Sequence, residues 1–435
     1  MDRYDTKPLK CKDIRVTVPG SKSITNRALL LASLSQGKCL LKGTLFSDDS
    51  RYFLSSLKEL GFEISEDEEK KQVTVVGNGG NIPKATGSIY VGSAGTAARF
   101  LTAMLGLSSG QYTINASEQM KKRPMKPLFD VLTELGSEIK FLEEENSLPI
   151  EIKGCFYGKE SGDAKYPLKV KLDISKSTQF LSALLMAGCM CKGGLDIEIT
   201  SEKKEGSYID ITKNMVKEFG GNVLFDGMSY YVEPKIYNLS QYQIEPDVSA
   251  ACYFYGMAAI YGCKAIVYNV HFNSTQGDIR FVETLEKMGC VVNDTIDGIV
   301  VEGPDKDKGQ CLKAIANLDM NNFSDQALTL ANVAIWADGP TTISNIGHIR
   351  GQECDRLSAI ATNLSAMGIK AKEGEDSITI YPGSISHADI NTYEDHRVAM
   401  AFAMAGLGET SLTICNPLCC RKTFENYFDI LDTLC

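Results

Sequence analysis

One arrangement of polar and apolar positions recurs six times along the chain. A short start of small, hydroxylic or charged residues leads into an almost wholly apolar run, then a glycine, then a strand-like stretch. In the first copy Ser21-Lys22-Ser23-Ile24-Thr25-Asn26-Arg27 opens the run from Ala28 to Leu34, Gly37 stops it, and Lys38-Cys39-Leu40-Leu41-Lys42 follows. The other copies occupy Gly92 to Leu107, Ser175 to Ala187, Asp247 to Ile260, Ser324 to Trp336 and Glu394 to Ala405, with glycines following at 110, 193 and 194, 262, 339 and 406. A spacing of roughly seventy residues identifies an internal repeat. A helix that is apolar on every side is buried along its length, so only its amino end meets solvent.

A second helix follows in five of the copies and ends in the same way: Leu57-Lys58-Glu59-Leu60-Gly61, Leu132-Thr133-Glu134-Leu135-Gly136, Val216-Lys217-Glu218-Phe219-Gly220, Leu285-Glu286-Lys287-Met288-Gly289 and Leu364-Ser365-Ala366-Met367-Gly368. Two alternating strands come next, so each copy reads β-α-β-α-β-β and the class is α/β. The sixth stops after its second helix, Thr423 to Leu434, and the otherwise unassigned run Ile14 to Val18 is expected to close it. Three copies then build each of two domains. Residues 19–245 form an inserted domain, and residues 1–18 with 246–435 form a discontinuous one. The crossings fall at the turn residues Pro19-Gly20 and Glu245-Pro246-Asp247.

Composition narrows what such a fold does. The chain has 435 residues, 43% hydrophobic and 23% charged, enough for two cores. Met1 to Lys12 is polar and charged, unlike a signal or transit peptide. No uninterrupted apolar run is long enough to span a bilayer, so no membrane partner is expected and the location is cytoplasmic. Fourteen cysteines lack paired metal spacing, and Cys189, Cys191, Cys252 and Cys415 lie in apolar stretches, which reads as reduced, buried thiols and no metal site. A net charge of −10 argues against a nucleic-acid partner.

Basic residues nevertheless recur at one phase of the repeat. Lys22, Arg27, Arg99, Lys176 and Asp395-His396-Arg397 stand at starts of the buried helices, while Arg123, Arg350, Arg356 and Lys422 stand at second helices. Helix amino ends add unpaired N–H groups and about half a positive charge. Such groups would face one cleft, where only multiply charged anions satisfy them. Cationic faces of this kind would hold two halves apart until anions let them close. On the helix ends alone, the reading is a binder of phosphate esters.

Several stretches carry a more specific likeness. They are the run from Leu9 through Pro19-Gly20-Ser21-Lys22-Ser23 to Ala28, Gly92-Ser93-Ala94-Gly95-Thr96-Ala97-Ala98-Arg99, Arg123-Pro124-Met125, Ser177-Thr178-Gln179-Phe180, Arg350 to Arg356, Asp395-His396-Arg397 and Lys422-Thr423-Phe424. In order, and over essentially the whole chain, they resemble the 5-enolpyruvylshikimate-3-phosphate synthase family. The resemblance implies a two-domain inside-out α/β barrel of six repeats, three per domain. It also implies transfer of the enolpyruvyl group of phosphoenolpyruvate to the 5-hydroxyl of shikimate 3-phosphate, with release of phosphate and without a cofactor. A monomer is expected.

The residue roles follow from the same resemblance. Arg356 and Arg397 hold the phosphoenolpyruvate carboxylate, Lys22, Arg123, Gln179 and Lys422 hold its phosphate, and the Gly95 backbone lies against it. Ser23 and Arg27 bind the shikimate carboxylate, Ser177, Thr178 and Gln179 its phosphate, and Tyr208 its ring face. Asp325 is the base on the target hydroxyl. Glu353 is the acid–base at the methylene carbon, with Lys22 and Lys422 as further proton carriers. Asp49 and Asp355 orient basic neighbours, His348 and His396 line or support the site, and His271 and His387 stay outside the chemistry.

The pattern departs from the family at the 3-phosphate. Lysine is usual where Gln352 stands, and serine where Glu205 stands three residues before Tyr208; Ser93 replaces a common asparagine. Lys176, or the pair Lys203-Lys204, is the compensating cation, with Lys176 the first choice. Glycine at position 95 leaves the space that glyphosate, a phosphoenolpyruvate mimic in this family, requires. The related UDP-N-acetylglucosamine enolpyruvyl transferases carry a Gly-Gly-Cys loop where this chain has Glu118 to Arg123. A non-catalytic relative would have lost charged groups, yet Lys22, Asp325, Glu353, Arg397 and Lys422 all remain.

Overall fold

The computed structural model describes residues 2–156 and 167–435; Met1 and residues 157–166 of the expected domains lie outside the described residues. The chain divides into two compact units, one made by the segment up to Pro19 together with Glu245–Cys435, the other by Gly20–Ile244. Each has its own hydrophobic core.

The second repeat shows the pattern of the five four-stranded sheets. In it, strand Thr86–Tyr90 leads into the buried helix Gly95–Gly106, which returns the chain to strand Gln111–Asn115 in parallel register, Ile89 opposite Ile114. A parallel pair needs such a crossover, and the helix supplies it. Helix Lys126–Glu134 then precedes strands Glu138–Phe141 and Ile150–Lys153, both antiparallel additions, with Ile150–Lys153 next to Gln111–Asn115. The third and fifth repeats have the same strand order.

In each unit the three apolar helices lie inside, each touching the other two, and the sheets surround them. Every residue of Gly95–Gly106 is buried, as are Ile24 to Leu34 of Lys22–Leu34. At the centre of the discontinuous unit, a Cβ on Gly256 would sit 2.4 Å from Met404 Sδ and 3.4 Å from Val333 Cγ2, so glycine is what lets three helices meet.

The second helices are amphipathic and end alike. Gly61, Gly136, Gly220, Gly289 and Gly368 have φ of 91, 99, 90, 99 and 78°. At each, the glycine N–H donates to a carbonyl three residues back, and the next N–H to one five back, as in Gly61 to Lys58 and Phe62 to Leu57. Only glycine enters this left-handed C-terminal turn without strain, which explains the repeated sequence step.

Three sheets borrow a strand from elsewhere in the chain. The first repeat takes Gln241–Gln243, parallel to Gln36–Lys42. The expectation that Ile14–Val18 closes the sixth repeat is corrected here. Asp13–Val16 instead joins the fourth, parallel to Lys264–Tyr268, with Ile14 opposite Ala265. The sixth sheet is completed by Arg3–Asp5, antiparallel to Thr413–Cys415. Only Tyr4 of that strand is buried, packing 4.5 Å from Phe428 and donating to Asp432. One aromatic between two charged residues is too short a run to read as alternation, so the sequence pattern hid this strand.

Candidate active site

In the Gly20–Ile244 unit the expected ligands gather at the starts of the three buried helices. Lys22 opens the first, its Nζ 3.4 Å from Oδ2 of Asp49, which stands in the first turn of Asp48–Glu59. Ser23 follows, and its carbonyl accepts from Arg27 Nη1 at 2.9 Å. Gly95 opens the second helix beneath Arg123, whose guanidinium lies 2.6–2.8 Å from where a Cβ would be and donates to the Ser93 carbonyl at 3.5 Å. Gln179 opens the third, preceded by Thr178 and by Ser177, whose Oγ accepts from the Gln179 N–H. Tyr208 lies in the first turn of Ser207–Glu218, its ring centroid 5.8 Å from the Arg27 guanidinium carbon.

Two arginines of this unit are buried and hydrogen-bonded within the protein. Arg27 is 1% exposed and donates to Thr212 Oγ1, Ser182 Oγ and the carbonyls of Ser23 and Tyr208. Burial draws its pKa down to about 10, so it stays charged at neutral pH. Arg99 donates to Gln179 Oε1 at 2.6 Å and to the Pro124 carbonyl, with its guanidinium 5.2 Å from the Phe180 ring. At the departures from the family pattern, Glu205 and Lys176 are exposed, Lys203 lies against Gly206, and Lys204 donates to the Ile199 carbonyl.

The discontinuous unit holds a charge network centred on Arg356. This residue is 1% exposed, at the start of helix Arg356–Ala366. Its Nε meets Asp395 Oδ2 at 2.8 Å, Nη1 meets Asp325 Oδ1 at 2.8 Å and Nη2 meets Glu353 Oε2 at 2.9 Å. Asp325 and Glu353 each give their other oxygen to a second cation: Arg397 Nη2 at 3.0 Å and Lys422 Nζ at 3.3 Å. Asp395 caps the helix of Arg397 by accepting its backbone N–H. Burial disfavours the Arg356 charge, but Asp395, Glu353 and Asp325 outweigh it, and the pKa rises. Alternating charges replace the bare cationic face that the sequence suggested.

Arg350 also differs from expectation. It grips Asp355 and Glu373 and donates to the carbonyls of Gly374 and Glu375, fastening the Gly347–Gly351 turn to the next hairpin. Asp355 caps the Arg356 helix at Ser358. Gln352 lies between this turn and Glu353, half-buried. His348 Nε2 is 2.8 Å from Ser324 Oγ, beside Asp325, whereas His271 pairs with Asp294 and His387 with the Ser411 carbonyl.

Sequence reading missed Asp278, Ser249 and Gln326. Ser249 Oγ and Gln326 Nε2 both donate to Asp278 Oδ2, and Ser249 Oγ lies 3.3 Å from Arg397 Nη2. The signal was present, since Gln276-Gly277-Asp278 occupies the loop before the fourth repeat's second helix, the phase that carries Arg123, Glu353 and Lys422. Among the described residues no cluster suits a metal and no helix is long and apolar enough to cross a membrane. Cys39, Cys252 and Cys290 are buried free thiols, and burial lifts Cys39 to a pKa of about 11.

Six α/β repeats with basic residues at helix starts and an arginine–carboxylate network suit an enzyme that acts on small anionic substrates. The EPSP synthase (3-phosphoshikimate 1-carboxyvinyltransferase) family model matches residues 8–431, and the chain belongs to that family. Relatives named 3-phosphoshikimate 1-carboxyvinyltransferase include that of Sulfurovum sp., 40% identical over 439 residues with 100% of this chain and 99% of the relative covered. That of Histophilus somni is 41% identical over 445 residues, covering 98% of both. A solved EPSP synthase from Acinetobacter baumannii shares the fold, with a TM-score of 0.80, 24% identity and coverage of 100% and 98%. The chain therefore transfers the enolpyruvyl group of phosphoenolpyruvate to the 5-hydroxyl of shikimate 3-phosphate, in the pathway to chorismate and the aromatic amino acids.

Proposed function

We propose that two carboxylates carry the proton transfers of this reaction and that the basic and hydroxylic residues bind its two anionic substrates. The observation that carries the reading is the arrangement of Asp325 and Glu353, each bridging Arg356 and one further cation. Two anionic substrates brought together repel by some kcal/mol at intermediate dielectric, roughly 4 kcal/mol for one pair of unit charges at 4 Å. Arg356 and Arg397 take the phosphoenolpyruvate carboxylate, and Lys22, Arg123, Gln179 and Lys422 take its phosphate. Ser23 and Arg27 take the shikimate carboxylate, Ser177, Thr178 and Gln179 the 3-phosphate, with Gln352 beside it, and Tyr208 the ring.

Addition forms a bond from the 5-hydroxyl oxygen to the central carbon of phosphoenolpyruvate. The hydroxyl proton passes to Asp325, and the methylene carbon gains a proton from Glu353. Elimination then breaks the bond to the phosphate oxygen, Glu353 recovers a proton from the methyl group, and phosphate leaves with the proton that Asp325 had taken up. Lys22 and Lys422 stabilise the charge of the tetrahedral intermediate. Phosphate release from phosphoenolpyruvate tests the whole reading. Turnover is expected with shikimate 3-phosphate and not with shikimate or UDP-N-acetylglucosamine; turnover with unphosphorylated shikimate would mean that Glu205 and Gln352 have changed the specificity.

Two further outcomes follow within this reading. Lys176→Ala is expected to raise the shikimate 3-phosphate KM about tenfold, the cost of one charged hydrogen bond; an unchanged KM removes Lys176 from the pocket. The unmodified enzyme is expected to be inhibited by micromolar glyphosate. Gly95→Ala, whose methyl would press on the Arg123 guanidinium 2.6 Å away, is expected to relieve that inhibition and raise the phosphoenolpyruvate KM. Indifference of the unmodified enzyme to millimolar glyphosate would sink this. The enzyme acts as a cytoplasmic monomer, which sedimentation checks.

A further inference from the structure

Three cations and four carboxyls meet in the discontinuous unit. Arg356, Arg397 and Lys422 are in direct contact with Asp395, Asp325 and Glu353. The fourth carboxyl, Asp278, is reached by a hydroxyl and an amide instead, Ser249 and Gln326. A serine hydroxyl has one proton, and here it points to Asp278, so a lone pair faces Arg397 Nη2 at 3.3 Å. That nitrogen also meets Asp325 Oδ2 at 3.0 Å. Arg397 thus stands between two carboxyls, one directly and one through Ser249.

The linkage is fixed at every point. Ser249 is in the first turn of Val248–Tyr261, and Gln326 is the neighbour of Asp325 in the Ser324–Gln326 turn. The loop of Asp278 is anchored by Gln276, which donates to the Pro246 carbonyl at 2.8 Å and accepts from the Val248 N–H at 3.1 Å. Anionic substrate arriving at a network already richer in carboxyls than in cations adds charge that a buried site tolerates poorly. A proton on one carboxyl relieves it.

We propose that Asp278 is a positioning residue for the transfer: it takes up a proton when the phosphoenolpyruvate carboxylate settles on Arg397, and through Ser249 it yields that guanidinium to substrate while Asp325 stays ionised as the base. The proton comes from bulk water and returns when product leaves; no substrate bond forms at Asp278. This rests on the reading that Arg397 binds phosphoenolpyruvate. Burial and then the Asp325 carboxylate push the Asp278 pKa up to about 6, against Arg397, Ser249 and Gln326, so the group titrates within reach of neutral pH. Cys252 also faces this loop, its Sγ donating to the Asp278 carbonyl.

The test compares phosphoenolpyruvate KM for wild type and Asp278→Asn from pH 6 to 8.5; taking their ratio at each pH cancels the ionisation of the substrate. The ratio of wild type to variant is expected to rise at least threefold over this range, with tenfold per pH unit as the one-proton ceiling. A flat ratio overturns the proposal. Should Asp278→Asn not fold, Ser249→Ala cuts the link and is expected to flatten the wild-type trend, and a Ser249→Ala enzyme with the wild-type profile overturns it equally. Arg397→Lys separates the two levels. If it leaves the KM unchanged, the ligand reading fails; if it raises the KM while the ratio stays flat, only the role of Asp278 fails.

Discussion

Arg356→Met is expected to cost about 3–5 kcal/mol of stability and to abolish turnover, because a buried pair broken from one side leaves the other charge uncompensated. Here three carboxylates lose their shared partner at once. Asp395 is wholly buried, and Asp325 and Glu353 would still meet Arg397 and Lys422. Arg356→Lys is not a mild change either, since one ammonium cannot replace a planar fork aimed at three acceptors. Urea unfolding followed by circular dichroism, with the phosphoenolpyruvate KM, checks both parts. A variant with wild-type stability would show that the three carboxyls are not held as ions by this arginine.

Glu353→Gln is expected to behave differently: a loss of about 10²–10⁴-fold in kcat, the usual yield of general acid–base catalysis, with the fold intact. Arg356 retains Asp395 and Asp325 in that variant, while Lys422, which meets Glu353 Oε1 at 3.3 Å, exchanges a carboxylate for an amide oxygen. Two readouts separate chemistry from packing. Unfolding should stay within about 2 kcal/mol of wild type, inside the ordinary range for a single substitution of the same shape. Deuterium from solvent should also fail to enter the methylene of recovered phosphoenolpyruvate, since Glu353 is the group that delivers it. A kcat within threefold of wild type would remove Glu353 from the acid–base role.

Much of the fold was legible because it is repetitive. Six apolar runs and five glycine steps report features with strong physical signatures: an inward helix has no polar face, and a left-handed helix stop admits glycine. Strand Arg3–Asp5 was not legible because a single buried tyrosine makes no period. The site divides in the same way. Residue types and spacing pointed to Lys22, Arg356, Arg397 and Lys422 as one basic group, but sequence could not show what each was paired with. Arg27, Arg99, Arg350, Arg356 and Arg397 all have protein acceptors, a pairing that spacing along the chain does not disclose. Asp278 escaped because a lone aspartate in a loop reads as surface until its burial is known.

The borrowed strands set a timetable for synthesis. Asp13–Val16 and Arg3–Asp5 leave the ribosome before their partners, Lys264–Tyr268 and Thr413–Cys415, which follow about 250 and 410 residues later. At roughly 5–20 residues per second those strands wait on the order of tens of seconds. In the unit from Gly20 to Ile244 the wait ends within the segment itself, since Gln36–Lys42 meets its partner Gln241–Gln243 about 200 residues later. That unit can therefore finish while the other is still being made. A nascent chain halted near residue 300 should carry one protease-resistant body and a leading end that is still cut.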